Sequence, residues 1–124
     1  MLKRLTYAAF LAAGAAALAG CSPKNVSYSR DVQPILERYC YECHAPGQRG
    51  FEASGFDVTS YEALMKGGKF GPLIKPGDAF TSAFNMLIEG RAHSSIRMPH
   101  GREKLTEHEQ EVLKAWVGEG AKKN

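Results

Sequence analysis

Apolar residues recur at helical spacing along this chain, separated by polar and glycine-rich stretches. Val32, Ile35, Leu36 and Tyr39 fall at i, i+3, i+4 and i+7, one face of a helix. Asp31 stands before that stripe as a helix N-cap, its short side chain suited to accept from a free backbone amide. Pro34 fits the first turn, where its missing N–H costs nothing. The helix runs on through Cys40-Tyr41-Glu42-Cys43-His44 and stops at Ala45-Pro46-Gly47. Thr59-Ser60-Tyr61-Glu62 has the form of a capping box with Thr59 as the cap, opening a short helix to Lys66 that Gly67-Gly68 ends. Ser82 caps another, through Glu89, with Phe84, Leu87 and Ile88 on its buried side. Thr106-Glu107-His108-Glu109 is a second capping box, followed by the stripe Val112, Leu113, Trp116, Val117. Of the connections, Gln48 to Asp57 reads as a loop whose Phe51 and Phe56 wrap an apolar object, Lys75-Pro76-Gly77-Asp78 as a turn, and Gly90 to Lys104 as irregular. There is no sustained period-two alternation and no internal repeat. The predicted fold class is all-α, one small domain.

The first twenty residues follow a different logic. Met1-Leu2-Lys3-Arg4 is a basic start, Leu5 to Leu18 is almost wholly apolar, and Leu18-Ala19-Gly20-Cys21 closes with small residues before a cysteine. This is the form of an export signal, too short and wrongly flanked for a spanning helix. The closing tetrapeptide resembles the lipobox of bacterial lipoproteins. That resemblance implies cleavage before Cys21 and lipid on its sulfur, with Ser22 at the next position implying the periplasmic face of the outer membrane in a Gram-negative host. The competing reading is an ordinary secretory signal with Cys21 as an unpaired thiol. Residues 1–20 are thus expected to be a signal peptide and 21–28 a linker behind the anchor.

Removing the leader changes the charge. Without Lys3 and Arg4 the 16 basic residues become 14 against 13 acidic ones, so the pI of about 8.8 overstates the basicity of the exported part. No Lys/Arg run is interleaved with aromatics, which argues against a nucleic-acid partner. Between Leu64 and Arg102, however, Lys66, Lys69, Lys75, Arg91, Arg97 and Arg102 face only Asp78 and Glu89. This reads either as an ordinary solvated surface or as a weakly basic rim that steers an acidic-faced partner.

The chemistry concentrates in Cys40-Tyr41-Glu42-Cys43-His44. Two thiols two residues apart, followed at once by histidine, are the sequence form of a c-type haem attachment site. Each sulfur would add to one vinyl group of the porphyrin, and His44 would offer a ring nitrogen to the iron. A zinc site would need a second ligand pair, and a thiol–disulfide site would want a preceding strand. Neither context is present in the sequence around the pentapeptide.

Taken with the later pieces of the chain, this stretch resembles a class I cytochrome c, most closely the planctomycete-type cytochrome c domain. The resemblance is carried by Asp31-Val32-Gln33-Pro34-Ile35-Leu36, Cys40 to His44, Tyr61-Glu62-Ala63-Leu64 with Gly67-Gly68, Pro76-Gly77-Asp78, Met98-Pro99, Leu105-Thr106, and Trp116-Val117 before Gly120-Ala121. It implies a monohaem domain over residues 29–121 with a tail at 122–124. In that fold the first and last helices cross, placing Leu36 and Tyr39 near Trp116. It also implies Met98 as the distal axial ligand opposite His44. One position departs from the pattern: a second proline is usual after Met-Pro, and this chain has His100, an imidazole close enough to compete. Met65 and Met86 sit at core-like helical positions, and His93 and His108 lack supporting context.

The expected function is therefore a membrane-anchored carrier of single electrons between redox partners, using one haem c held by Cys40, Cys43, His44 and Met98 and anchored through Cys21. No nucleophile–base set is visible and no small-molecule substrate is expected, so the chain is not read as an enzyme. The rival classes are a haem subunit of an oxidoreductase or a peroxidase-like haem, and a ligand-binding sensor, each with a labile or His100-occupied sixth position.

Overall fold

The computed structural model of the protein describes residues 21–124. The signal-peptide expectation for residues 1–20, including Leu18 to Gly20 of the lipobox, lies outside the described residues. The described chain is all-α, with a single isolated bridge between Gly68 and Gly71.

A π-helical turn, Tyr28–Val32, leads directly into α1, Gln33–Tyr39. Its cap is Ser27, not the expected Asp31. The Ser27 hydroxyl accepts from the Arg30 amide, while the Asp31 carboxylate reaches back to accept from the Ser27 amide at 2.8 Å. Asp31 thus completes the cap from inside the helix, so the helical run starts a turn earlier than the apolar stripe. Val32, Ile35, Leu36 and Tyr39 are all buried, as their spacing predicts. Cys40 joins α1 to the short α2, Tyr41–His44, and the chain leaves the helix at Ala45, whose extended backbone suits the residue before Pro46.

Residues 49–54, expected to be loop, form α3, Arg49–Ser54. Gly50 lets this helix lie against α2, since a Cβ there would stand 2.6 Å from the Cys43 carbonyl oxygen. Lys69 donates to the end carbonyls of Glu52 and Ala53, closing the helix from a distant part of the chain. Helix α4 spans Tyr61–Lys66. Its cap is Ser60, one residue beyond the expected Thr59, because Thr59 is taken up by a local turn on the Asp57 carboxylate. The expected reach of Glu62 back to the cap gives way to an ion pair with Lys123. The turn at Lys75–Asp78 forms as expected, with Gly77 at φ 87°. Helix α5, Ala83–Ile88, follows, and Ser82 precedes it as the cap residue but spends its hydroxyl on Asp78 and Lys75. A single 3-10 turn, Ser94–Ile96, interrupts the irregular stretch before α6, Glu107–Gly118.

Helix α6 opens with the full Thr106/Glu109 capping box and buries Val112, Leu113, Trp116 and Val117. Full burial of each large apolar side chain contributes about 1.5–3 kcal/mol. The first helical run packs on α6 through the Tyr28–Val32 turn, and the two are held at both ends. At one end the Tyr39 hydroxyl donates to Glu109 at 2.9 Å. At the other, the Glu119 carboxylate accepts from the amides of Asn25 and Val26. Tyr28, tilted, and Tyr61, edge-on, both pack against Trp116, at 5.7 and 6.5 Å between ring centroids, and Tyr39 meets the opposite end of α6. The first and last helical runs are thus in contact, with Tyr28 beside Trp116 and Tyr39, which the resemblance placed there, at Glu109 instead.

Residues 25–28, expected to be linker, belong to the folded body: Val26 and Tyr28 are buried. Residues 122–124, expected to be a tail, are docked. Lys122 accepts from the Trp116 indole, and Asn124 accepts from the amides of Tyr28 and Ser29.

Candidate functional site

Cys40, Cys43 and His44 share one helical turn. The amides of Cys43 and His44 both donate to the Cys40 carbonyl, at 3.1 and 2.9 Å, so i, i+3 and i+4 side chains rise from one face. The chain then pins that turn from outside, with the Val58 amide donating to the His44 carbonyl at 3.0 Å.

The imidazole is oriented by backbone. His44 Nδ1 lies 3.1 Å from the Phe56 carbonyl oxygen. A carbonyl can only accept, so Nδ1 carries the ring proton and Nε2 keeps the free lone pair. Burial pushes the imidazole pKa down, against the opposing pull of the Phe56 carbonyl, which keeps the ring neutral and able to ligate.

Two adjoining cavities share Cys40, His44, Ser54, Ile88 and Met98 as walls. The first, about 310 Å³, runs inward between Phe56, Val58, the 68–73 segment and the Ala83, Phe84 and Leu87 side of α5. Among the described residues that line it, only His44, Ser54 and Lys69 are charged or hydrogen-bonding polar side chains beside the Cys40 thiol. The second, about 400 Å³, runs outward past Cys43, Arg49 and Gly50 to His100 and Arg102. Both volumes fall in the range of cofactor pockets.

Together they form an apolar slot with two thiols on one helical turn, a neutral imidazole, and a thioether in the shared wall. These residues fit a haem. They do not fit the rivals: burial, with a smaller push from Cys43, raises the Cys40 thiol to about 12, the opposite of a thiol–disulfide site. Among the described residues no group of three or more His, Cys, Asp or Glu side chains comes together as a zinc site would require.

The structure brings Cys40, Cys43, His44 and Met98 to one place. Met98 is half-buried and lines both cavities, and its amide is tied to the Leu87 carbonyl at 3.1 Å. His100 is exposed and lines only the outer cavity. Met65 and Met86 line neither cavity, His93 is exposed and bonded to Ser95, and His108 is exposed at the start of α6. Cys21 is exposed and distant in sequence from this wall.

Leu87, expected in the core with Phe84 and Ile88, instead faces the inner cavity and is only half-buried. Phe56 lines the inner cavity as an apolar wrapping would require, whereas Phe51 does not. Of the six basic residues between Leu64 and Arg102, Lys69 and Arg102 reach the cavity walls, and each already has an internal partner: the α3 carbonyls for Lys69 and Glu42 for Arg102.

Sequence reasoning missed Gly50, the Phe56 carbonyl and Ser54. The Ser54 hydroxyl donates to the Gly50 carbonyl at 2.6 Å and lines both cavities. The only signal available was the clustering of glycines with phenylalanines just after His44.

Residues 40–100 match the family model described as planctomycete cytochrome C. No curated protein and no solved structure matches the chain.

Proposed function

We propose, for a chain that belongs through residues 40–100 to the planctomycete cytochrome C family, that it is a membrane-anchored monohaem cytochrome carrying single electrons between exported redox partners. Haem c, when bound, supplies one iron that takes up and gives back a single electron. The observation that carries this reading is the shared wall of the two cavities, where Cys40, His44 and Met98 meet.

Each residue has a distinct part in it. Cys40 and Cys43, three positions apart on one turn, would hold the porphyrin through thioethers. His44, with its proton committed to the Phe56 carbonyl, would offer Nε2 to the iron and gains basicity from that bond. Met98 would offer its thioether from the wall that both cavities share. Phe56, Val58, Phe84 and Leu87 give the inner cavity apolar walls, which would leave little solvent to reorganise around a haem filling it. Electron transfer without substrate turnover is the activity this wall supports.

Cys21, exposed at the outer end of the described residues, is the lipid attachment point in this reading. No helix among the described residues is long and apolar enough to cross a membrane. A Cys21→Ala variant is expected to lose fatty-acid labelling and to leave the membrane fraction.

The central experiment is denaturing electrophoresis with haem-peroxidase staining of protein matured in the exported compartment, followed by spectra with and without carbon monoxide. Colour that stays on the polypeptide, with a spectrum indifferent to the gas, is the expected result. Haem that acid–organic extraction removes completely rules out the covalent assignment, and ready carbon monoxide binding moves the protein to the peroxidase-like or sensor class.

A further inference from the structure

The two bonded ends of the pair made by the first helical run and α6 differ in what they carry. Among the described residues, Asn25 is the first whose amide is bonded to the folded body, donating to the Glu119 carboxylate at 2.8 Å. Cys21 lies four positions before it, which lets the anchor reach at most about 14 Å from that point. From Tyr28 to Tyr39 the helical run then carries the chain roughly 16 Å away, at ~1.5 Å per residue. At the far end stand Tyr39, Cys40 and the outer cavity, whose Arg49, His100 and Arg102 are exposed.

Charge points the same way. At the anchor end every nearby carboxylate is internally engaged: Glu119 by two backbone amides, Asp31 by Arg30 and the Ser27 amide, Glu62 by Lys123. Lys24 and Lys122 are exposed and have no side-chain partner among the described residues. Unpaired ammonium groups beside a lipid anchor are attracted to anionic headgroups.

We infer that the anchored protein stands on the bilayer by its Asn25/Glu119/Asn124 end, with the outer cavity mouth at the opposite pole, open to a redox partner arriving from the aqueous compartment and turned away from one embedded in the same membrane. The inference rests on the lipid-anchor reading of Cys21. A tether this short leaves the domain no room to turn over, and a partner in the plane of the membrane would meet the closed end.

Amine footprinting tests it on the lipidated holoprotein bound to vesicles of phosphatidylethanolamine and phosphatidylglycerol, with the unlipidated Cys21→Ser holoprotein in solution as reference. Acylation of Lys24 and Lys122 is expected to fall several-fold on the vesicles, while Lys104, two residues beyond Arg102, keeps its solution rate. Shielding of Lys104 with Lys122 left reactive, or equal rates at both, overturns the orientation while leaving the anchor intact. Wild-type holoprotein that does not join the vesicles at all overturns the anchor, and the orientation with it.

Discussion

His44 Nδ1 and the Phe56 carbonyl oxygen stand 3.1 Å apart across twelve residues of chain, and that single bond sets which imidazole nitrogen faces the slot. The intervening chain is α3, and it passes close to the ring: a Cβ on Gly50 would lie 3.1 Å from His44 Cε1 and 2.6 Å from the Cys43 carbonyl oxygen. The donor geometry therefore depends on a residue that has no side chain.

Gly50→Ala is the direct probe of that dependence. The clash is with backbone, which cannot rotate aside, so α3 must shift from α2. The expected cost is about 1–3 kcal/mol, in the range of an overpacked core position. Thermal unfolding of the holoprotein should show the loss, and the Soret and visible bands should move as the His44 ring is displaced. A glycine replaced for lost backbone entropy alone would instead gain stability in a helix, so an unchanged spectrum with a higher midpoint excludes the packing account.

Glu109 links the cap of α6 to the haem-bearing helix. Burial pushes its carboxyl upward, but the Thr106 amide and hydroxyl, the Tyr39 hydroxyl and Arg38 outweigh it and hold the pKa below the usual carboxylate range. A depressed folded pKa contributes stability above the unfolded value, about 4.3, and loses it as pH falls through the folded value. Glu109→Gln should therefore lower the thermal midpoint at neutral pH. The gap to the wild type should start to narrow as pH falls through the unfolded value, about 4.3, and close only below the depressed folded value, where both side chains are neutral. A gap that stays constant down to that pH assigns the difference to packing.

The tail at 122–124 closes the opposite end of the pair. Deleting it strips acceptors from the Tyr28 and Ser29 amides and from the Trp116 indole. Each buried donor left without a partner costs about 1–3 kcal/mol. Hydrogen exchange at Tyr28 and Ser29 should accelerate and the midpoint should fall. Lys123→Ala, which removes an exposed pair with Glu62 and a 5.9 Å contact with the face of the Tyr61 ring but none of these acceptors, should leave the exchange at Tyr28 and Ser29 unchanged and the midpoint close to that of the wild type.

Much of the structure that follows from neighbours in sequence was readable beforehand. The stripe from Val32 to Tyr39, the Thr106/Glu109 box, the Gly67 stop and the Lys75–Asp78 turn are local patterns, and each forms. The pentapeptide from Cys40 to His44 was legible because its chemistry demands contiguous residues. Helix α3 was not, because what holds it is remote: Lys69 caps its carbonyls, and Gly50 is explained only by the backbone it touches. Two caps shifted for a related reason. Ser27, Asp31, Thr59 and Ser60 are all competent cap residues, and which of them serves depends on competing bonds, Asp57 having claimed Thr59. The docking of residues 25–28 and 122–124 likewise depends on partners more than ninety residues apart, beyond the reach of any periodicity.

The sixth ligand decides what kind of carrier this is, and the structure separates the two candidates by position. Met98 is half-buried in the wall common to both cavities and fixed through its amide to Leu87 in α5. His100 is exposed, at the outer mouth alone. A thioether favours ferrous iron more than a second imidazole does, so ligation by Met98 implies the higher potential. The ferric holoprotein is expected to show the weak charge-transfer band of sulfur–iron bonding. Met98→Ala should abolish that band and either lower the potential or open the site to added imidazole, whereas His100→Ala should leave the band in place. Should the wild type lack the band, and the spectrum change only when His100 is replaced, the imidazole is the ligand. The loop from Met98 to Arg102 must then fold inward from the position it holds here, and the carrier works at low potential.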